Sequence, residues 1–209
     1  MTKLYNGYIL DGMNEFERNV KRGFDFIVSI LCLVVFSPLF AYCYFRIKRD
    51  DGGPVIYKQE RIGRFGRPFY IYKFRSMKVG AEANGPELCD SDDDNRLTKA
   101  GRFLRSHHLD ELPQFWNVFK GEMSFVGPRP ERKFFIDQIM EHDRRYECLY
   151  QIRPGISSLA TLYNGYTDTM EKMLKRLEMD LYYLENRSWW LDFKIIGLTF
   201  LNIVFGKKF

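Results

Sequence analysis

The apolar positions of this chain are bunched: of the twenty residues from Phe26 to Phe45, seventeen are apolar. As a helix that stretch reaches about 30 Å, roughly the hydrocarbon thickness of a bilayer. No second run matches it, which excludes a polytopic transporter and argues against a purely soluble enzyme. It begins too late and runs too long for a cleavable signal, and Ala41-Tyr42-Cys43-Tyr44-Phe45 offers no small-x-small cleavage site. Arg18, Lys21 and Arg22 precede the run and Arg46, Lys48 and Arg49 follow it, so both ends favour the cytoplasmic side. Ser37-Pro38 interrupts it: the proline cannot bond to the Val34 carbonyl and clashes with it, while the Ser37 hydroxyl can satisfy a freed carbonyl. The kink leaves arms of about 18 Å and 12 Å, each too short to span alone. A re-entrant helix entering and leaving by one leaflet fits these facts, and a crossing helix with a tolerated proline fits them nearly as well.

Beyond Asp50-Asp51-Gly52-Gly53-Pro54 the period changes. Val55–Gln59 and Phe69–Phe74, rich in aromatic and β-branched residues around a Gly/Pro loop, predict a β-hairpin with Lys73 and Arg75 on one face and Phe74 on the other. Residues 79–95 are polar, and their aspartate run reads as a solvated loop because no closing Glu completes a metal-ligand register. Residues 97–120 predict two helical stretches around Leu109-Asp110-Glu111-Leu112-Pro113, with Leu112, Phe115, Trp116 and Phe119 as an apolar stripe. Pro113 suits the first turn of a helix, which puts Asp110 and Glu111 at its N-terminus. A Gly/Pro loop spans Phe125 to Pro130. Helices follow from about Glu131 to Cys148 and Asp168 to Arg187, with a break at Arg153-Pro154-Gly155. The tail from Trp189 to Phe205 reads equally well as an interfacial or a core-packing helix.

Composition narrows the class. In 209 residues, 45% hydrophobic and 28% charged, there is one domain's worth of core and no signature of disorder. The net charge of +5 suits an anionic membrane surface or phosphorylated substrates. No nucleic-acid module is visible, so nucleic acid is not an expected partner. Cys32, Cys43, Cys89 and Cys148 share no metal spacing, consistent with a reduced, cytoplasmic catalytic face.

The chemistry concentrates at Asp110-Glu111. Adjacent helical carboxylates point about 100° apart, so one can attack a reaction centre while the other holds a divalent metal. Alone, such a pair is far more often a cap. Its surroundings are basic: Arg96, Lys99, Arg102 and Arg105 recur every third residue, although for Arg96 and Lys99 a surface or headgroup role is the better reading. Arg129 lies between Pro128 and Pro130, and Arg153 precedes Pro154. Backbone stiffened by proline makes each a good phosphate fork, and a surface or headgroup charge fits each equally well. Lys73 and Arg75 can join from the hairpin. His107 and His108 are spaced wrongly for zinc. Neither a GxSxG turn nor a GxxxxGK[ST] loop occurs.

Six ordered motifs resemble the bacterial monotopic phosphoglycosyl transferases, the bacterial sugar transferase family: Tyr72-Lys73-Phe74-Arg75-Ser76-Met77, Arg102-Phe103-Leu104-Arg105, Leu109-Asp110-Glu111-Leu112-Pro113-Gln114, Asn117 to Ser124, Val126-Gly127-Pro128-Arg129-Pro130 and Arg153-Pro154-Gly155-Ile156. The resemblance runs from about Val20 to Phe205 and looks like the family's minimal catalytic form. It implies an α+β fold, a small β-hairpin or sheet with surrounding helices and interfacial amphipathic helices. The segments would be a cytoplasmic or interfacial stretch over 1–23, a re-entrant membrane helix kinked at Ser37-Pro38 over 24–49, and a catalytic domain over 50–209. It implies transfer of a sugar-1-phosphate from a UDP-sugar to undecaprenyl phosphate with release of UMP, the step that starts surface-glycan assembly. Asp110 would be the nucleophile and Glu111 would assist with Mg²⁺, both near the metal, and Lys73, Arg105, Arg129, Arg75 and Arg153 would bind phosphate. The enzyme would sit in one leaflet of the bacterial inner membrane, facing the cytoplasm, with a homodimer left open. His108 stands where the family commonly has a small hydroxyl residue, and Ser157-Ser158 where it has Thr-Gly, which leaves loop geometry and sugar choice open. The competing readings are an anchored scaffold that binds anionic lipid without catalysis, and a one-step transferase in which Asp110 only binds metal.

Overall fold

The computed structural model describes residues 4–5, 8–81, 94–165, 167 and 169–205, so Cys89 and most of the aspartate run lie outside the described residues. A short antiparallel pair, β1 (Leu4–Tyr5) and β2 (Tyr8–Ile9), leads into α1 (Glu15–Val35). Helix α1 opens with a capping box: Asn14 Oδ1 accepts the Glu17 N–H at 2.9 Å and the Glu17 carboxylate accepts the Asn14 N–H at 2.9 Å. It therefore starts well before the apolar run.

Helix α1 is inverted relative to a water-facing helix. It buries Lys21, Asp25 and Ser29, one face at four-residue spacing, while Ile27, Leu31, Val34 and Val35 are exposed. The break falls at Phe36, and α2 (Ser37–Asp51) leaves at 59° to α1. Pro38 sits in the first turn of α2, where its missing N–H costs nothing. The Ser37 hydroxyl donates to the Val34 carbonyl at 2.7 Å, the compensation expected of it. No single helix among the described residues is long and apolar enough to cross a membrane, and only the bent α1–α2 pair meets that test together. Helix α2 also serves the core: Cys43 and Ile47 are buried in a cluster with Val55, Phe74, Ala100 and Leu104.

The hairpin forms as expected but with longer arms, β3 (Ile56–Ile62) against β4 (Pro68–Phe74), antiparallel with Tyr57 opposite Lys73. Then come α3 (Lys99–Ser106), a 3₁₀ turn over Leu109–Glu111, α4 (Gln114–Lys120) and β5 (Ser124–Val126). Helix α3 starts two residues later than the pattern predicted, because Thr98 caps it by accepting the Gly101 N–H at 2.9 Å.

The single helix expected over 131–148 is divided. Helix α5 covers Lys133–His142, and Asp143 (φ −148°) caps a separate 3₁₀ stretch, Arg144–Gln151, by accepting the Arg145 N–H. Strand β6 (Gly155–Ser157) pairs in parallel with β5, followed by α6 (Leu159–Asn164), α7 (Met170–Asn186) and α8 (Trp189–Val204). The largest cluster lies among α5, α7, α8 and the strands, around Ile136, Ile139, Leu177, Leu184 and Ile195. Helix α8 packs into the core through Asp192 and Ile195, while Trp190, Phe193 and Phe200 are exposed. Mixed helices and small two-stranded sheets make this an α+β fold.

Candidate active site

The turn that carries the acids is held by its apolar neighbours. Leu109 and Leu112 pack against the Cys43–Phe74–Leu104 cluster. Just before them His108 adopts a left-handed backbone, φ 54°, a conformation that costs a non-glycine residue of order 1 kcal/mol or more. That residue reverses the chain between α3 and α4, leaving Asp110 buried and Glu111 half-buried at the head of α4.

Strand β4 supplies the facing cation. Ile71 and Lys73 share a face; Ile71 packs against Val118 of α4, and Lys73 reaches the dyad, donating to Glu111 Oε1 at 2.6 Å. The register between strand and helix is set by Asn117, which is fully buried. Its Oδ1 accepts the Tyr72 N–H at 3.0 Å, and its Nδ2 donates to the Tyr70 carbonyl at 2.7 Å and to Glu122 at 2.8 Å. Asn117 thus acts as one residue of a neighbouring strand. It was legible in the sequence only as a motif letter, since nothing in its local pattern marks it as a strand surrogate.

Arg105 arrives from the last turn of α3 and Arg129 from the loop after β5. The charge of Arg105 acts on Asp110, that of Arg129 on Glu111, and His108 acts on both. The Arg129 loop has its own scaffold. The glycine pair Gly127 and Gly155 lets β5 and β6 approach closely: a Cβ on Gly155 would fall 2.1 Å from the Gly127 nitrogen. The Arg129 N–H bonds to the Asp180 carboxyl of α7, and neighbouring Glu131 accepts from Arg176 at 3.0 Å and Arg61 at 3.5 Å. None of Asp180, Glu131, Arg176 or Arg61 carried a sequence signal, because they come together from α7, β3 and the loop after β5.

Burial pushes the Asp110 carboxyl above its ordinary range; Lys73 pulls it down, Glu111 adds to the rise, and Arg105 opposes it. Burial acts on Glu111 in the same sense, but Lys73 and Arg129 outweigh it and hold that carboxyl down at about 2. The two acids are therefore split, one a desolvated carboxylate that takes a proton readily, the other a fixed anion. Among the described residues no group of three or more His, Cys, Asp or Glu could hold a metal. Two adjacent carboxylates nevertheless match the protein's share of a Mg²⁺ site, since that ion takes one or two carboxylates plus substrate phosphates.

The remaining basic residues are placed differently. Arg75 lies past the end of β4, where the strand alternation stops, and is buried in a bidentate pair with Asp51 while its Nε donates to the Pro54 carbonyl at 2.6 Å. Arg153 donates to the Gly121 carbonyl at 2.8 Å. Neither is among the charges acting most strongly on the dyad. Arg96 precedes α3 and pairs with Asp94 at 2.6 Å, and Lys99 and Arg102 are exposed. Of that row Arg105 acts on Asp110.

The profile of the bacterial sugar transferase family matches residues 16–206, and the chain belongs to that family. It is similar to the UDP-N-acetylgalactosamine-undecaprenyl-phosphate N-acetylgalactosaminephosphotransferase of Aeromonas hydrophila, 40% identical over 187 residues, covering 90% of this chain and 44% of the relative. It is also similar to the UDP-glucose:undecaprenyl-phosphate glucose-1-phosphate transferase of Klebsiella pneumoniae, 44% identical over 198 residues, covering 94% of this chain and 42% of the relative. A protein of the same description from Caulobacter vibrioides is 37% identical over 182 residues, covering 86% of this chain and 67% of the relative. The chain spans less than half the length of the first two relatives.

Proposed function

We propose that this protein transfers a sugar-1-phosphate from a UDP-sugar to undecaprenyl phosphate in two steps through Asp110. The observation that carries the reading is the split dyad: a buried, desolvated Asp110 beside a Glu111 fixed by Lys73, with Arg105 and Arg129 facing them. In the first step an Asp110 carboxylate oxygen attacks the phosphorus bearing the sugar. The bond from that phosphorus to the bridging oxygen breaks, and UMP leaves with the electron pair. In the second step an oxygen of the lipid phosphate attacks the same phosphorus and the Asp110 carboxylate is released, so no net proton is required.

Lys73, Arg105 and Arg129 bind and orient the diphosphate and neutralise charge as it shifts to the leaving UMP. Glu111, with Asp110, would hold Mg²⁺. That ion would supply further neutralisation of the diphosphate. The names of the relatives support the donor and acceptor classes. Because they differ in the sugar named, the sugar here is a matter for a donor panel.

The same reading places α1 and the start of α2 in one leaflet of the bacterial inner membrane as a re-entrant anchor, with the catalytic part on the cytoplasmic face. The inversion of α1, apolar outside and polar inside, supports it. The test uses the full chain in nanodiscs with UDP-sugars, Mg²⁺ and undecaprenyl phosphate. We expect UMP release and, by intact mass, a phosphosugar adduct that vanishes in Asp110→Asn. An active Asp110→Asn enzyme would overturn the nucleophile in favour of one-step transfer, and no UMP release from any donor would favour the lipid-binding scaffold. Cysteine labels near residues 20 and 50 should report the same side of the membrane; opposite sides would mean a span.

A further inference from the structure

Six cations from distant parts of the chain converge on one cleft away from the dyad: Arg18, Lys21 and Arg22 from α1, Arg64 from the hairpin turn, Arg153 before β6, and Arg187 after α7. The cleft opens to solvent. On α1 these residues and Asp25 recur at three- and four-residue spacing, so one helix face supplies a whole wall. That face lies just before the exposed apolar residues of the same helix.

The charges are unevenly answered. Arg18 and Arg187 share Asp11, each at 3.3 Å, and Lys21 pairs with Asp192 at 2.5 Å. Arg22, Arg64 and Arg153 meet no carboxylate at ion-pair distance among the described residues. Arg22 donates to the Val118 and Phe119 carbonyls, Arg64 Nε to the Gln151 carbonyl at 3.0 Å, and Arg153 Nε to the Gly121 carbonyl at 2.8 Å. Bonds through Nε fix the guanidinium plane and leave the terminal N–H pair of Arg64 and of Arg153 unspent, the edge that grips two oxygens of an oxyanion.

Crowding has a cost. Burial lowers the affinity of Arg64 and Arg153 for their protons, and the neighbouring arginines lower it further. The acid in the wall, Asp25, is engaged by the Phe125 N–H at 3.3 Å. Beside it the Ser124 hydroxyl is buried and directed at the Asp25 carboxyl, whose charge it helps to hold. Like charges held this close are an arrangement that an anion relieves.

The geometry points to a second phosphate site: this cleft binds a tetrahedral phosphate oxyanion through Arg22, Arg64 and Arg153, carried either by a lipid headgroup or by a soluble phosphate. The assignment does not depend on the reaction at Asp110. It gives Arg153 a role outside the cluster around the dyad.

The test titrates inorganic phosphate into the full chain in zwitterionic detergent, read by calorimetry. It is paired with binding to phosphatidylcholine vesicles with and without phosphatidylglycerol. Arg64→Gln should weaken phosphate binding, or the preference for phosphatidylglycerol, by about tenfold or more, the scale of a lost hydrogen bond to a charged group. Arg64→Lys, which keeps the charge and guards against a folding artefact, should lose less. Arg67→Gln, in the same hairpin turn but outside the cleft, should lose nothing. A vesicle preference that depends on Arg64 and resists added inorganic phosphate identifies a lipid phosphate, and one that phosphate competes away identifies a soluble ligand. The site is overturned if wild type shows neither saturable phosphate binding nor an Arg64-dependent vesicle preference, or if Arg67→Gln loses as much as Arg64→Gln.

Discussion

Lys21 of α1 and Asp192 of α8, 171 positions apart, meet at 2.5 Å in the interior, both almost fully buried. The Tyr183 hydroxyl donates to the other oxygen of Asp192 at 2.6 Å, so the pair ties three helices together. This bond holds the polar face of α1 against the body of the protein while its apolar face points outward. Breaking one partner of a buried ion pair leaves a stranded charge that costs about 3–5 kcal/mol. Asp192→Asn and Lys21→Met should each lower the unfolding temperature in detergent markedly. The double substitution should be less damaging than the sum of the singles, as a double-mutant cycle would register.

Activity should fall on the acid side as Asp110 takes up a proton, at a pH above the ordinary carboxylate range because burial raises its pKa. Lys73 is the strongest charge opposing that rise. Lys73→Met should therefore move the acid limb of the kcat/KM profile to higher pH as well as reduce its plateau. An unshifted limb would mean that another group controls it.

Asn117 joins α4 to β4 through two strand-like bonds to Tyr72 and Tyr70. Asn117→Leu keeps the volume but removes both part-buried bonds, at about 0.5–1.5 kcal/mol for each hydrogen bond lost. Because Lys73 is the next residue along the strand, we expect turnover to drop by more than the loss of folded protein explains, measured per folded molecule.

Asp180, buried behind the Arg129 loop, has its carboxyl pushed up to about 7 by burial, with Arg176 pulling against it. A raised value means that the folded state binds the proton more tightly than the unfolded chain. Stability contributed by this group is thus present at low pH and is lost as pH rises from the ordinary carboxylate value through about 7. Asp180→Asn should flatten the difference in unfolding temperature between pH 5 and pH 8, two conditions chosen to bracket that value. An unchanged difference would show that another group governs it.

Gly127 and Gly155 permit the close parallel pairing that carries Arg129. Gly155→Ala should destabilise by roughly 1–3 kcal/mol, the usual cost of forcing an extra group into a packed site. It should also weaken UDP-sugar binding, which an isothermal titration would register.

The sequence determined what is local. The apolar run, its break near Ser37-Pro38, the hairpin around its Gly/Pro loop, and the acidic pair ahead of a proline-started helix all follow from periodicity and the geometry of single residues, and each is found. The same logic misplaced what depends on distance. The helix expected over 131–148 is cut at Asp143 by a cap that competes with continued helix. Arg75 shares a face with Lys73 only while the strand lasts, and beyond Phe74 it is captured by Asp51. Only the tertiary structure decided that Lys73 pairs with Glu111, that Asn117 stands in for a strand, and that six cations from α1, the hairpin and two later loops share one cleft. Charges act through space with a reach set by burial, whereas sequence patterns report only neighbours along one chain, so a motif can name the acids but not the partners that separate their protons.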